Sequence, residues 1–229
     1  MGFIGKIIGK IILYFIGFTV LSVIFFKFVP IPFTWTMLGQ KMEASSEGRD
    51  SELHYSWRSM DEISKEAALA VIAAEDQKFP NHNGFDFEAM KNAFMGNLKG
   101  KKLKGASTIS QQVAKNVFLW QSRSYTRKIA EVYFTFLIEL IWGKERILEV
   151  YLNVAETGIM TFGFEEGAQR YFNKSAQNLT RTEAAKIAAI LPSPRKWSVK
   201  NPGSYTARRV QSITRSMRNL GGTSYLMNL

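Results

Sequence analysis

The chain has 229 residues, which is enough for one catalytic domain with an appendage and for a sizeable buried core. Thirty Lys and Arg against 19 Asp and Glu give a formal net charge of +11, which favours anionic partners such as nucleic acid, phospholipid head groups or phosphorylated substrates. The sequence has no cysteine and only two histidines, so disulfides, thiol nucleophiles, thiolate metal sites and histidine-rich metal sites are excluded.

The first predicted element is an apolar helix at the amino terminus. Residues 11–26, "IILYFIGFTVLSVIFF", carry no charge, and lysines near both ends can extend their reach toward the roughly 30 Å of a hydrocarbon core. A cleaved signal peptide would need a small-residue cleavage site, which "KFVPIPFTW" does not offer, and a soluble core helix would show a polar stripe. We therefore expect residues 1–29 to form a cytoplasmic stub and an uncleaved membrane anchor.

The charges that flank the anchor bear on its orientation. Lys6 and Lys10 precede the span and favour a cytoplasmic amino terminus, whereas Lys27 and Lys41 behind it weaken that preference. With the amino terminus inside, most of the chain lies outside the cytoplasm.

Residues 30–60 are predicted to be a juxtamembrane connection. Pro30 and Pro32 end the anchor, and the polar stretch "QKMEASSEGRDSE" (40–52) is typical of a linker or an exposed connection. From Asp61 the pattern becomes helical, and it is apolar on nearly every face over residues 67–74. We expect that helix to be buried, at the start of a domain spanning 61–229.

Two carboxylates, Glu75 and Asp76, end this buried helix. Burial and the negative end of the helix dipole both disfavour ionisation of Glu75, which makes it a candidate general base or acid. The alternative is that both are ordinary solvated residues, and that Phe79 and His82 belong only to the packing of a turn.

A basic segment precedes the next helix. The stretch "NLKGKKLKGAS" (97–107) carries four lysines between glycines and predicts a loop. The capping-box pattern of Thr108 and Gln111 then starts a helix on which Thr108, Gln112 and Lys115 follow at i, i+4 and i+7. A helix start and a lysine suit a phosphate, although the same stripe also fits a solvated face.

A third helix is predicted from about Thr126 to Trp142. Four apolar residues at helical spacing predict its inward face: Ile129, Val132, Phe136 and Leu140. The pair of Arg127 and Glu131 at i, i+4 fits a surface salt bridge. That interpretation leaves unexplained why Arg123, Arg127 and Lys128 crowd around a single carboxylate.

The rest of the chain also has helical patterns. Residues 144–154 form one predicted helix, Thr180 and Glu183 form a capping box that begins another, and Pro192 ends it. A last helix, roughly 204–220, carries Arg208, Arg209, Arg215 and Arg218. Because no sustained alternation of period two occurs, the fold class is expected to be mainly α.

Five blocks of sequence together carry a family resemblance. In order they are "AAEDQKFPNHNGFD", "GASTISQQVAKNVFL", "RKIAEVYFTFLIEL", "KERILEVYLNVAETG" and "RTEAAKIAAILPSPRKWSVKNP". They closely resemble the five motifs of the peptidoglycan glycosyltransferases, over about residues 75–202. Class A penicillin-binding proteins carry this domain followed by a transpeptidase, for which the residues after 202 are too few. The chain thus resembles the monofunctional, membrane-anchored form.

The resemblance implies a lysozyme-like helical domain that polymerises lipid II into glycan strands, with inversion and release of undecaprenyl pyrophosphate. By position, Glu75 is similar to the general base that deprotonates the acceptor 4-hydroxyl, and Glu131 to the second essential carboxylate. The other implied residues would shape the site or bind the substrate: Asp76, Phe79, His82, Thr108, Gln112, Lys115, Arg123, Arg127 and Lys128. Of these, Lys115 resembles a pyrophosphate ligand.

The resemblance also indicates partners and place. It implies lipid II and the growing glycan as substrates, contact with membrane lipid and with other cell-wall synthesis proteins, and no nucleic acid. It leaves open a divalent cation, Mg²⁺ or Mn²⁺, at the leaving group, and it implies no organic cofactor. With the anchor, it implies a single-pass protein of the bacterial inner membrane whose catalytic domain is periplasmic.

Two rival functions stay open at this point. A hydrolase on the same scaffold would also use two carboxylates, but it has no evident need for so many cations suited to phosphate. A basic module without catalytic activity fits the charge, but the sequence lacks the aromatic and basic signatures of nucleic-acid recognition.

Overall fold

An apolar helix, α1 (Phe3–Phe28), begins the computed structural model, which describes residues 3–98, 107–121 and 124–229. Its 24 residues from Gly5 to Phe28 include an 18-residue window with a mean hydropathy of 2.3, and they are long and apolar enough to cross a membrane. This is compatible with the predicted anchor.

The second half of α1 packs against the rest of the chain. The Thr19 hydroxyl lies 2.7 Å from that of Tyr133, and the Trp142 indole donates to the Val23 carbonyl over 2.7 Å. Arg146 donates to the carbonyls of Phe26 and Val29, at the end of the helix where carbonyls lack helical partners. Helix α1, the predicted anchor, therefore contacts the helical domain on one side.

The predicted linker over residues 40–52 is wrong in its first half. Helix α2 (Trp35–Ser46) is capped by Thr34, whose hydroxyl accepts from the amide of Met37. The helix buries Met37, Gln40 and Ala44. The apolar residues fall on one side of a short polar sequence, so composition alone indicated a connection where the structure has a packed helix.

Mainly α architecture is confirmed. After α2 the helices are α3 (Lys65–Glu75), α4 (Phe87–Leu98), α5 (Ile109–Phe118), α6 (Tyr125–Ile141), α7 (Lys144–Val154), α8 (Gly163–Phe172), α9 (Arg181–Ile190) and α10 (Ser204–Asn219). Helix α3 is buried from Ala67 to Ala73, as predicted, and packs against α7, α9 and α10. Helix α5 lies against α6 and α7. The capping boxes at Thr108 and Thr180 are confirmed.

The predicted inward face of α6 is wrong. Ile129 is 71% exposed, Phe136 60% and Leu140 70%, and Val132 is exposed as well. The core side of α6 instead consists of Glu131, Phe134, Thr135, Leu137 and Ile138. The apolar stripe predicted to face inward thus faces away from the protein core.

A small sheet lies beside the helices. Its strands are β1 (His54–Tyr55), β2 (Glu156–Gly158) and β3 (Thr161–Phe162), in the order β1-β3-β2. Strand β3 pairs in parallel with β1 and antiparallel with β2. Strands this short leave no alternating pattern in the sequence, which is why they were not predicted.

Candidate active site

Glu75 lies at the end of α3, where the buried helix meets α5, α7 and α10. One carboxylate oxygen accepts from the Gln112 amide nitrogen over 3.1 Å, and the other from the Arg209 guanidinium over 3.0 Å. Burial raises the pKa of Glu75, and the donors Gln112 and Arg209 oppose that rise. The carboxylate is therefore held in place and poised to take a proton.

Arg209 also belongs to this site, although the sequence did not predict it there. Its guanidinium donates to the carbonyls of Ala189 and Ala74 as well as to Glu75, so it joins α10 to the ends of α9 and α3. It stands 134 residues from Glu75, among arginines whose sequence spacing indicates only a basic helix. No local signal separates Arg209 from its exposed neighbour Arg208.

Gln112 connects Glu75 to helix α7. While its amide nitrogen donates to Glu75, its amide oxygen accepts from the Tyr151 hydroxyl over 3.3 Å. Tyr151 is fully buried, and burial raises its pKa well above the usual range, so the hydroxyl keeps its proton. The predicted polar stripe of α5 therefore does face the predicted base.

Asp76 and His82 form a second cluster beside Glu75. Both Asp76 oxygens lie 3.0 Å from Nε2 of His82, and one of them accepts the first free amide of α5, that of Ile109. Phe79 is fully buried next to the His82 ring, with the Lys144 ammonium 4.5 Å from its centroid. These three predicted site residues join the start of α5 to the end of α3.

Thr108 has its hydroxyl engaged within the fold. It accepts from the Gln111 amide as the cap of α5 and donates to the Gly84 carbonyl over 2.6 Å. Gly84 has φ +85°, and a Cβ there would lie 2.7 Å from the Thr135 side chain, so the turn that the sequence indicated requires glycine. Thr108 thereby orients the helix that carries Gln112 and Lys115.

Lys115 lies about one turn after Gln112 on α5. Its ammonium makes no hydrogen bond or ion pair with the residues that the structure describes, although it is largely buried. Burial lowers the pKa of Lys115, the Glu131 carboxylate opposes this, and the charges of Arg127 and Lys128 add to it. A cation that is desolvated and not neutralised in this way attracts an anion.

Arg127, Lys128 and Glu131 form the predicted cluster at the start of α6. Arg127 donates to one oxygen of the buried Glu131 carboxylate over 2.8 Å, and Lys128 donates to the other. Together with Lys115 these residues comprise three cations and one carboxylate, which gives the four residues a net charge of +2. Arg123, which was predicted to add to them, lies outside the described residues, as does most of the predicted basic loop 97–107.

Two cavities flank this arrangement. Glu75 lines one of about 210 Å³ together with Asp76, Lys78, Asp86 and Thr108. Lys115 lines another of about 190 Å³, which it shares with Gln112 and Tyr151. Gln112 joins the two, because it lines the second cavity and donates to the carboxylate that lines the first.

The side chains described here do not by themselves form a site for a divalent cation. Both oxygens of Glu131 are occupied by cationic donors, and within the described ranges no three carboxylate or imidazole groups come together as a metal would require.

The arrangement combines a proton acceptor with a place for a dianion. Glu75 is held by donors that favour its ionised form, and the Lys115 cluster can neutralise negative charge that develops on a diphosphate. The two cavities that Gln112 joins thus provide both groups that a transfer with an acidic leaving group requires.

Comparisons with known proteins agree with this reading. Residues 40–218 match the family model described as "Transglycosylase". A protein of Chromohalobacter salexigens named "Biosynthetic peptidoglycan transglycosylase" is 50% identical over 215 residues, covering 94% of this chain and 92% of its own length. A protein of the same name from Pseudomonas fluorescens is 49% identical, covering 96% of this chain and 92% of its own length. Another from Xanthomonas campestris pv. campestris is 48% identical, covering 93% of this chain and 87% of its own length.

Proposed function

The chain belongs to the transglycosylase family and is a peptidoglycan glycosyltransferase, and from that premise we propose that it polymerises lipid II by inverting glycosyl transfer. The products are a lengthened glycan strand and undecaprenyl pyrophosphate. One observation carries this proposal: Gln112 donates to the Glu75 carboxylate and also lines the cavity of the desolvated Lys115 ammonium. A module without catalytic activity is excluded by the family.

Glu75 acts as the general base in this proposal. It takes the proton of the acceptor 4-hydroxyl as that oxygen forms its bond to the anomeric carbon of the donor. The bond from that carbon to the diphosphate oxygen breaks, and its electron pair leaves with the diphosphate. Gln112 and Arg209 support this role because both donate to the ionised carboxylate.

Lys115, Arg127 and Lys128 hold the leaving diphosphate. The negative charge on that group grows as the glycosidic bond breaks, and cations fixed in a partly buried site stabilise growing charge more than they would in water. Glu131 pairs one oxygen with the Arg127 guanidinium and the other with the Lys128 ammonium. These ion pairs orient the two cations without cancelling the net positive charge of the cluster. The divalent cation that the resemblance leaves open at this place stays a proposal, because no three carboxylate or imidazole groups come together among the described residues.

The exposed apolar surfaces support attachment to a bilayer. Helix α1 is long enough to span it, and the stripe of Ile129, Phe136 and Leu140 lies on α6, the helix against which α1 packs. Phe87 and Phe94 of α4 are exposed as well. We assign the chain to the bacterial inner membrane with a periplasmic catalytic domain, where these faces contact lipid and the site reaches a lipid-linked substrate.

Incubation of the full chain in detergent with purified lipid II tests the proposal. We expect long glycan strands together with one undecaprenyl pyrophosphate for each bond formed, and none with Glu75→Gln. A matched substitution of an exposed carboxylate, Glu52→Gln, should leave the rate unchanged. Cleavage of preformed glycan without polymerisation would favour the hydrolase instead and overturn the proposal.

A further inference from the structure

The hydroxyl of Tyr151 is a buried polar group separated from Glu75 by one side chain, that of Gln112. It lies on α7 in the sequence "YLNV", is fully buried, and donates to the Gln112 amide oxygen rather than to any backbone carbonyl. Elsewhere two partly buried tyrosines, Tyr55 and Tyr171, use their hydroxyls on backbone carbonyls, as expected of groups that only stabilise packing.

An amide side chain such as that of Gln112 presents either a donor or an acceptor to its neighbour. With the amide nitrogen toward Glu75 it favours the ionised carboxylate, as the structure has it. Turned by 180°, the amide would present its oxygen, repel the carboxylate and accept a hydrogen bond from the protonated acid. The orientation of one amide therefore biases Glu75 between its two protonation states.

We propose that Tyr151 is a positioning residue for the general base. By donating to the Gln112 amide oxygen, it stabilises the orientation of the amide in which Gln112 donates to Glu75. Tyr151 thus acts on the base through another side chain and touches no reacting atom. This inference rests on the proposed role of Glu75 and deepens it.

The other groups that face Glu75 do not replace this relay. Arg209 arrives from α10 and binds the opposite carboxylate oxygen, and Asp76 is the next residue of the chain and adds a like charge. Lys78 and Asp86 line the same cavity, where Lys78 is paired with Glu88. Among the described residues, only Gln112 donates to the oxygen of Glu75 that Arg209 leaves free.

The rate of lipid II polymerisation by the full chain, measured against pH, tests the proposal with Tyr151→Phe. Without the hydroxyl the amide can turn, so protonated Glu75 gains a partner and the acid limb of the profile moves to higher pH. We expect a shift of roughly half to one pH unit, which is a roughly three- to tenfold loss of rate below the limb, with recovery above it. Tyr55→Phe, which also removes one hydrogen-bonded hydroxyl from a partly buried position, should leave the limb unmoved.

A second readout needs no substrate. In protein labelled with ¹³C at glutamate carboxyl carbons, the Glu75 signal is the one that Glu75→Gln removes, and its titration should move upward in Tyr151→Phe by the same amount. Failure of the wild-type chain to polymerise lipid II would overturn the proposed function, while this titration would still report on Tyr151.

Two results would overturn the role of Tyr151: a rate lowered equally at every pH with unchanged Glu75 titration, or a profile identical to that of the wild type. If Tyr151→Phe did not fold, Gln112→Met would take its place, since methionine keeps the volume but cannot donate to Glu75. The relay requires the same upward shift in that variant, and an unchanged Glu75 titration there would refute it.

Discussion

The Arg209 guanidinium binds the Glu75 carboxylate over 3.0 Å and so joins the last long helix to the end of the buried α3. Both side chains are largely shielded from solvent, so their attraction is screened less than that of a surface pair. The pair opposes the effect of burial on the pKa of Glu75 and so favours the ionised carboxylate, the form that acts as a base.

Arg209→Gln is expected to raise the pKa of Glu75, because burial then acts on it with less opposition. The acid limb of the polymerisation rate should move up by about one pH unit or more, so that the rate near that limb falls about tenfold. Arg208→Gln removes the same charge from an exposed position of the same helix and should leave the profile in place. Equal profiles for the two variants would contradict the role of Arg209.

Lys115→Met is expected to separate activity from stability. Burial lowers the pKa of Lys115 below its ordinary value of 10.5, so the charged ammonium destabilises the folded state at neutral pH. This cost decreases as the pH rises from the lowered pKa toward 10.5, and it is absent above that pH. At neutral pH the variant should therefore unfold at the same or a higher temperature, while polymerisation falls on the order of a hundredfold because a cation at the leaving group is gone.

The matched control for Lys115 is Lys65→Met on the exposed start of α3, which should keep both activity and stability. A destabilised Lys115→Met with full activity would show that the ammonium serves the fold and not the diphosphate.

Asp76→Ala is expected to destabilise the chain by about 3 kcal/mol, because it leaves the buried His82 and the first free amide of α5 without their shared acceptor. Thermal unfolding in detergent, followed by tryptophan fluorescence, measures the change. Asp50→Ala on the exposed surface should change stability by less than about 0.5 kcal/mol. Similar values for the two variants would contradict the structural role of Asp76.

The helices and their caps could be predicted because their signals are local. The capping boxes at Thr108 and Thr180 and the apolar run before Glu75 depend on residues within two turns of each other. The contacts of Arg209 and Tyr151 could not be predicted, because they join residues 134 and 39 positions away in the chain, and only the packing of helices brings these together.

The error in α6 has a different cause. Periodicity identifies which residues share a face, and it identified Ile129, Phe136 and Leu140 correctly as one stripe. It does not say whether that stripe faces a protein core or a bilayer, since both are apolar. The polar residues on the opposite face, Glu131 and Thr135, are buried because they serve the site and the helix backbone.

The exposed stripe of α6 leads to the last prediction, that it contacts lipid. The sequence has no cysteine, so a nitroxide can be attached at one introduced position without removing others. In full chain reconstituted into liposomes, a label on Phe136→Cys or Leu140→Cys should be relaxed more by oxygen, which concentrates in lipid, than by a water-soluble nickel complex. A label on Gln177→Cys, on an exposed polar segment packed near α8, should show the reverse. If the labels on α6 behaved like the one at position 177, the stripe would face water, and its exposed area would need a protein partner to cover it.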